Sequence, residues 1–244
     1  MIESLLIATT RVETHFQRRS LTNASGFFFE REGRLYLVTS RHVVCDEPKQ
    51  HLPDRLEIEL HVNADNIAEC VSYAIPLYQG ARPLWRQGVD NAGDVDVAVI
   101  EIDRSALPAT TVYKAFTPSH LPAWSQDRVE VGASVLLVGF PLGFYDKLHR
   151  LPVARQAVIA SSFGLRFQGE GYFLTDARTH RGTSGAPVVM RVSDPARMRG
   201  DLPWMVLGVH SARLDMSTRD TDLDEALGLN CAWYADILLA LTAA

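Results

Sequence analysis

Near residue 184 a serine sits between glycines at the mouth of a strand. Arg181-Gly182-Thr183-Ser184-Gly185-Ala186-Pro187 runs directly into the apolar Val188-Val189-Met190. Glycine accepts backbone angles that other residues avoid and lets another molecule approach the main chain closely. Such a loop presents a hydroxyl outward and keeps backbone N–H groups around it. A nucleophilic oxygen and the oxyanion it generates need both. Gly-x-Ser-Gly also occurs in ordinary loops, so the segment constrains the chain only in company.

Two upstream segments supply that company. Leu35-Tyr36-Leu37-Val38-Thr39 is a β-rich run that leads into Ser40-Arg41-His42-Val43-Val44. Asp94-Val95-Asp96-Val97-Ala98-Val99-Ile100-Glu101-Ile102 brings acids into a β-branched strand. A serine hydroxyl becomes a useful nucleophile when an imidazole takes its proton and a carboxylate fixes the imidazole tautomer. Here the order is His, acid, Ser. α/β-Hydrolases run Ser, acid, His, and subtilisins run Asp, His, Ser, so chain order excludes both. Asp94 and Asp96 share a strand face by period-2 alternation, and parity does not separate them. His42 taken alone reads more readily as a structural histidine.

In this order the motifs resemble the trypsin-like (chymotrypsin-fold) serine peptidases, in particular the bacterial branch of HtrA-like and glutamyl endopeptidases. Ala24-Ser25-Gly26-Phe27-Phe28-Phe29 is similar to the family's first core strand, and Val38–Val44 to its histidine motif. Asp96–Ile100 is similar to the aspartate motif, and Gly132–Gly143 to the opening of the second barrel. Thr175-Asp176-Ala177 precedes the serine loop, and Val206-Leu207-Gly208-Val209-His210-Ser211 resembles the strand lining the substrate cleft.

The resemblance implies an all-β fold of two antiparallel β-barrels with the active site between them. It implies Ser184 as nucleophile, His42 as base and then acid, and Asp96, which directly precedes the Val-Ala-Val-Ile run, as orienter. It places the oxyanion hole at the N–H groups of Gly182 and Ser184. Arg178, Thr179, His210 and Ser211 become substrate-binding candidates, with His210 and Arg178 favouring Glu, Asp or Gln before the cut bond. Asp176 reads as a structural support for the nucleophile loop. The implied activity is a serine endopeptidase acting on proteins or peptides. The alternatives are a protease-like scaffold and a serine esterase. Thr183 stands where trypsin-type animal enzymes carry the Asp that receives a new N-terminus, which argues against that route of activation.

Composition narrows partners and setting. The 244 residues are 47% hydrophobic, enough for a substantial core, with a net charge of −5. Nucleic-acid-binding domains are usually basic, and no run approaches the roughly 18 apolar residues of a membrane span. No nucleic-acid or membrane partner is expected. The first residues lack a signal-peptide pattern, and three cysteines without paired spacing argue against a disulfide framework. The expectation is a cytoplasmic protein with Cys45, Cys70 and Cys231 free, and Cys45 reads as a small buried residue. The eight histidines are scattered and no Cys-x-x-Cys occurs, so neither metal nor cofactor is expected. A regulatory partner is compatible with the chain.

Short β-like runs recur between turn-rich stretches, as in barrels and sandwiches. The expected strands are 27–29, 35–39, 56–62, 97–102, 135–139, 157–160, 173–175, 187–192 and 205–210. The expected organisation is an N-terminal barrel over 1–115, a proline-containing crossing over 116–128, a second barrel over 129–230 and a C-terminal helix over 231–244.

Overall fold

Strand residues point alternately to opposite faces, and in this chain the alternation divides the apolar side chains among three layers. The computed structural model describes residues 2–123, 128–192, 201–213 and 228–243. The N-terminal half contains α1 (Ser4–Ile7), β1 (Thr9–Phe16), β2 (Arg19–Arg31), β3 (Arg34–Thr39), α2 (Arg41–Val44), β4 (Arg55–His61) and β5 (Cys70–Pro76). It continues through β6 (Tyr78–Gln79), β7 (Arg82–Pro83), β8 (Trp85–Asp90) and β9 (Gly93–Ile102). The C-terminal half contains β10 (Ser134–Gly139), β11 (Val153–Val158), β12 (Tyr172–Thr175), β13 (Pro187–Arg191), β14 (Trp204–Arg213), β15 (Asn230–Tyr234) and α3 (Ile237–Leu241).

Two antiparallel sheets result, and the fold is all-β. The first has the order β5-β4-β1-β2-β3-β9-β8 and the second β11-β10-β13-β14-β15-β12; β6 and β7 form a separate short ribbon. A bridge between Ile159 and Thr175 joins the two edges of the second sheet and curls it on itself. Phe28, Leu35, Leu37, Ala98 and Ile100 fill the interior of the first sheet, and Leu137, Phe173, Val188 and Leu207 that of the second. The alternate residues Phe27, Phe29, Tyr36, Val38, Val97 and Val99 face the other way. They meet Val138, Val189, Val206 and Val209 in a shared middle layer. Strands buried on both faces need continuous apolar runs rather than alternation. That is why Phe27–Phe29, Leu35–Val38 and Val97–Ile100 are so easily read in the sequence.

The C-terminal segment is not helical from residue 231. Asn230–Tyr234 is β15, hydrogen-bonded between β14 and β12, and only Ile237–Leu241 is helical. Trp233 and Tyr234 are good strand formers, and the gap between two strands supplies partners for both edges. α3 then returns to the first sheet. Arg86 Nη1 donates to the Ala243 carbonyl at 2.6 Å and Arg31 Nη1 to the Leu239 carbonyl at 2.6 Å. The strand expected over 157–160 ends at Val158, because Ala160 already bonds across to Leu174.

Phe116 lies in the middle layer, fully buried, edge-on to Phe27 at 5.7 Å between ring centres. Its N–H donates to the Phe28 carbonyl at 2.9 Å, and Glu30 N–H donates to its carbonyl at 2.7 Å. It therefore staples the chain leaving the first sheet onto β2. Phe116→Ala should destabilise the protein by about 3–5 kcal/mol, the usual cost of emptying a buried phenylalanine site. Urea unfolding midpoints of the two proteins test this, and equal midpoints would contradict it.

Candidate active site

The two sheets contribute different groups to one cleft. α2 carries His42 at the end of β3, and β9 carries Asp96. His42 Nδ1 lies 2.7 Å from Asp96 Oδ2, and the His42 N–H donates to Asp96 Oδ1 at 2.8 Å. The Ser211 hydroxyl, on β14, also donates to Asp96 Oδ2. Burial pushes the Asp96 pKa up. The hydrogen bonds and charge of His42 and the hydrogen bond from Ser211 outweigh it and hold the carboxyl below its ordinary range. Asp94 turns outward, half-exposed, with Arg41 Nη2 at 3.6 Å. The ambiguity between the two acids is resolved in favour of Asp96 as the partner of His42.

Ser184 sits on the tight turn ahead of β13. Gly182 and Gly185 have φ of +93° and +84°, in the region that glycine occupies without strain. A Cβ on Gly182 would lie 2.5 Å from the Phe140 carbonyl oxygen. A Cβ on Gly185 would collide with the Ser25 carbonyl and approach Thr39 Cα to 2.9 Å. Leu142 N–H holds the Arg181 carbonyl at 2.6 Å, and Ser25 Oγ donates to the Gly182 carbonyl at 2.8 Å. These bonds turn the carbonyls of the loop away. Neither the Gly182 nor the Ser184 N–H bonds to any described residue. The Ser184 hydroxyl donates to the Ser211 carbonyl at 3.0 Å, so it forms no hydrogen bond with His42.

The trypsin-like peptidase domain family matches residues 24–192, well over half of the chain. The chain belongs to the trypsin-like peptidases. Among solved structures it is similar to the serine endoprotease from Yersinia pestis, with a TM-score of 0.54 and 18% identity. That match covers 97% of this chain and 62% of the other, so the chain spans less than two-thirds of that protein's length. At this identity the likeness shows the fold. No curated protein matches the chain by sequence.

The other candidates in this peptidase domain are distributed unevenly. Thr179 is buried and its hydroxyl donates to Asn230 Oδ1, a partner with no sequence signal of its own. Arg178 is exposed, and only its carbonyl is engaged, by Arg155 Nη1 at 2.7 Å. It therefore does not face inward to charge a pocket, because buried Ala177 and Thr179 take the inward positions on either side of it. Asp176 Oδ1 accepts from the Val158 N–H at 2.7 Å and supports the approach to the loop. Ser25 belongs to the first-strand motif, but its role at the site depends on contacts with residues far along the chain. All three cysteines are free thiols, and burial, the main cause in each, raises their pKa, that of Cys231 to about 11.

His210 is 2% exposed, and its Nδ1 has no hydrogen-bond partner among the described residues. Burial, with a smaller push from the His42 charge, lowers its pKa from the ordinary 6.5 to about 3. Between those values the unfolded chain binds a proton that the folded protein refuses. The corresponding stability is fully present above the unfolded value and is lost as pH falls through this window. Urea titrations from about pH 7 to about pH 4 should show wild-type stability falling faster than that of His210→Gln, by up to about 1.4 kcal/mol per pH unit. Identical slopes, or a His210 ring that protonates near neutrality by NMR, would contradict this.

Proposed function

We propose that the chain is a serine endopeptidase in which Ser184, His42 and Asp96 act as a triad through an acyl-enzyme. The observation that carries this reading is the Asp96-bound His42, brought from one sheet to the nucleophile loop of the other beside two unengaged N–H groups. Asp96 accepts a hydrogen bond from His42 Nδ1–H, which keeps that proton on Nδ1 and leaves Nε2 as the lone-pair base. As Ser184 Oγ attacks the scissile carbonyl carbon, its proton passes to Nε2 and the C=O becomes an oxyanion. The Gly182 and Ser184 N–H groups receive that oxyanion. His42 then protonates the leaving amine, giving the Ser184 ester. A water that gives its proton to His42 attacks the ester carbonyl, and His42 returns that proton to Ser184 Oγ as the acid departs.

A fluorophosphonate probe should label Ser184, and labelling should depend on His42. Ser184→Ala and His42→Ala should each lower turnover by about a millionfold, because triad members act as a unit. Asp96→Asn should cost about ten-thousandfold through the wrong imidazole tautomer, whereas Asp94→Asn should change little. Wild-type turnover in Ser184→Ala would remove the triad. The bond from Ser184 to the Ser211 carbonyl favours a second reading, a protease-like module that binds without cutting. A folded wild type that resists the probe and cleaves neither peptide nor ester would favour that module over a peptidase or an esterase.

For specificity we assign His210 and Thr179 to a polar wall beside the residue preceding the cut bond. A buried imidazole nitrogen without a partner gains one from a Glu or Gln side chain, and a polar pocket penalises side chains that leave it unpaired. A peptide library varied at that position should show a Glu or Gln preference that collapses in His210→Ala. A preference for small aliphatic residues, unchanged in that variant, would refute the assignment. The three free thiols support a reducing, cytoplasmic setting for a protein or peptide substrate.

A further inference from the structure

On the outer face of the first sheet, β1 and β4 place charged residues opposite one another. Glu13 pairs directly across from Glu57, and His15, two residues along the same face of β1, pairs with Arg55. Two carboxylates at directly opposed positions repel each other, so something positive belongs between them. His15 Nε2 points into that gap. It lies 3.5 Å from Glu13 Oε2 and 3.6 Å from Glu57 Oε2. The residue is only 9% exposed and this nitrogen has no hydrogen-bond partner among the described residues.

The distances are informative. They exceed the range of about 2.7–3.2 Å for a charge-bearing hydrogen bond. They are close to the edge of a tetrahedron drawn about an ion with ligands at about 2.1 Å, which is about 3.4 Å. The remaining oxygens are already committed. Arg11 pairs with Glu13 Oε1, and Arg55 Nη2 holds Glu57 Oε1 at 2.8 Å. Each guanidinium fixes its carboxylate with Oε2 turned inward, as partners of metal-ligating carboxylates do.

We propose that Glu13, His15 and Glu57 form a divalent transition-metal site, with one imidazole nitrogen and two carboxylate oxygens as ligands and a fourth position open to water. That donor set suits Zn²⁺ better than Ca²⁺ or Mg²⁺, which take oxygen ligands. The scattered histidines of the sequence concealed it, because Glu57 joins the other two only through strand pairing. The Arg11 guanidinium also lies 5.0 Å from the Tyr145 ring. An ion held by Glu13 would therefore touch the contact between the first sheet and the loop from Pro141 to Leu151.

Zinc titration of the purified protein by calorimetry tests the site, with Co²⁺ as a spectroscopic probe. The expected result is one Zn²⁺ per chain, an affinity at least about tenfold weaker in His15→Ala and in Glu13→Gln/Glu57→Gln, and a shift of the His15 ring nitrogen by NMR in the wild type. Co²⁺ should show no thiolate charge-transfer band. A thiolate band would place the ion at Cys70 and His61, whose Sγ and Nδ1 lie 3.1 Å apart, and would overturn the proposal. So would unaltered zinc affinity in a folded His15→Ala or His15→Gln. A wild type that binds no zinc would overturn it as well. The NMR measurement needs no variant, so a variant that fails to fold leaves the test intact.

Discussion

Everything in the cleft depends on holding two sheets in register, because the imidazole and carboxylate belong to one and the serine to the other. A misplacement of about 1 Å between reacting groups is enough to cost two orders of magnitude in rate. Ser25, fully buried on β2, carries that constraint. Its N–H donates to the Ser184 carbonyl at 2.9 Å, and its hydroxyl donates to the Gly182 carbonyl at 2.8 Å. The same hydroxyl accepts from the Phe140 N–H at 3.0 Å, and its carbonyl accepts from Thr39 Oγ1 at 2.8 Å. One small residue thus satisfies four polar groups from three segments in a place that water does not reach. A second clamp lies at the His210 carbonyl, which accepts from Ser40 Oγ at 3.1 Å and from the Gly185 N–H at 2.8 Å. Both clamps place the turn after β3 against the nucleophile loop.

The electrostatics follow from that closeness. A carboxylate removed from water is costly unless hydrogen bonds replace its hydration. Asp96 receives the His42 amide, the His42 ring and the Ser211 hydroxyl, and remains ionised in consequence. His210 lies on the same strand as Ser211 but receives no such support at its ring, and it is kept neutral by burial and by the His42 charge. Two histidines in one cleft are thereby separated in behaviour by environment: one is bonded to a carboxylate and open to the cleft, the other buried and uncharged.

The period-2 geometry also explains which parts were legible in the sequence. β2, β3 and β9 are buried on both faces, so they appear as unbroken apolar runs, and these runs carry the histidine and aspartate motifs. β1, β5 and β8 face solvent on one side and carry polar residues between their apolar ones, so none of them forms an apolar run in the sequence. The Trp233-Tyr234 segment had helical company in Ile237–Leu241, and only its pairing between β14 and β12 makes it a strand. Chain order and loop composition offer His42, Asp94 or Asp96, and Ser184 as candidates, and the resemblance to the trypsin-like peptidases is what selects Asp96. Asn230, the Glu13–His15–Glu57 cluster and the clamping role of Ser25 do not show in the sequence, because each acquires meaning through partners that folding alone brings near. Arg178 shows the converse error: counting back along a loop gives a position but not the direction in which the side chain points.

Thr183 shows how the nucleophile loop dispenses with an ion pair. It is 2% exposed, and its hydroxyl donates to the His180 carbonyl at 2.5 Å and accepts from the His180 N–H at 3.2 Å. Its carbonyl accepts from the Ala186 N–H at 2.9 Å. The residue before the serine is therefore satisfied entirely within its own turn. A buried carboxylate at this point would require a cation to arrive before the loop could settle, since an unpaired buried charge is far costlier than an unpaired dipole. A neutral hydroxyl requires none. With Ser25 Oγ and the Leu142 N–H holding the Gly182 and Arg181 carbonyls, the geometry that frees the Gly182 and Ser184 N–H groups comes from neutral hydrogen bonds that form with the fold. The loop's conformation should accordingly depend little on pH or salt, and control of this domain is better sought in what approaches the cleft than in a charge-triggered ordering of the loop.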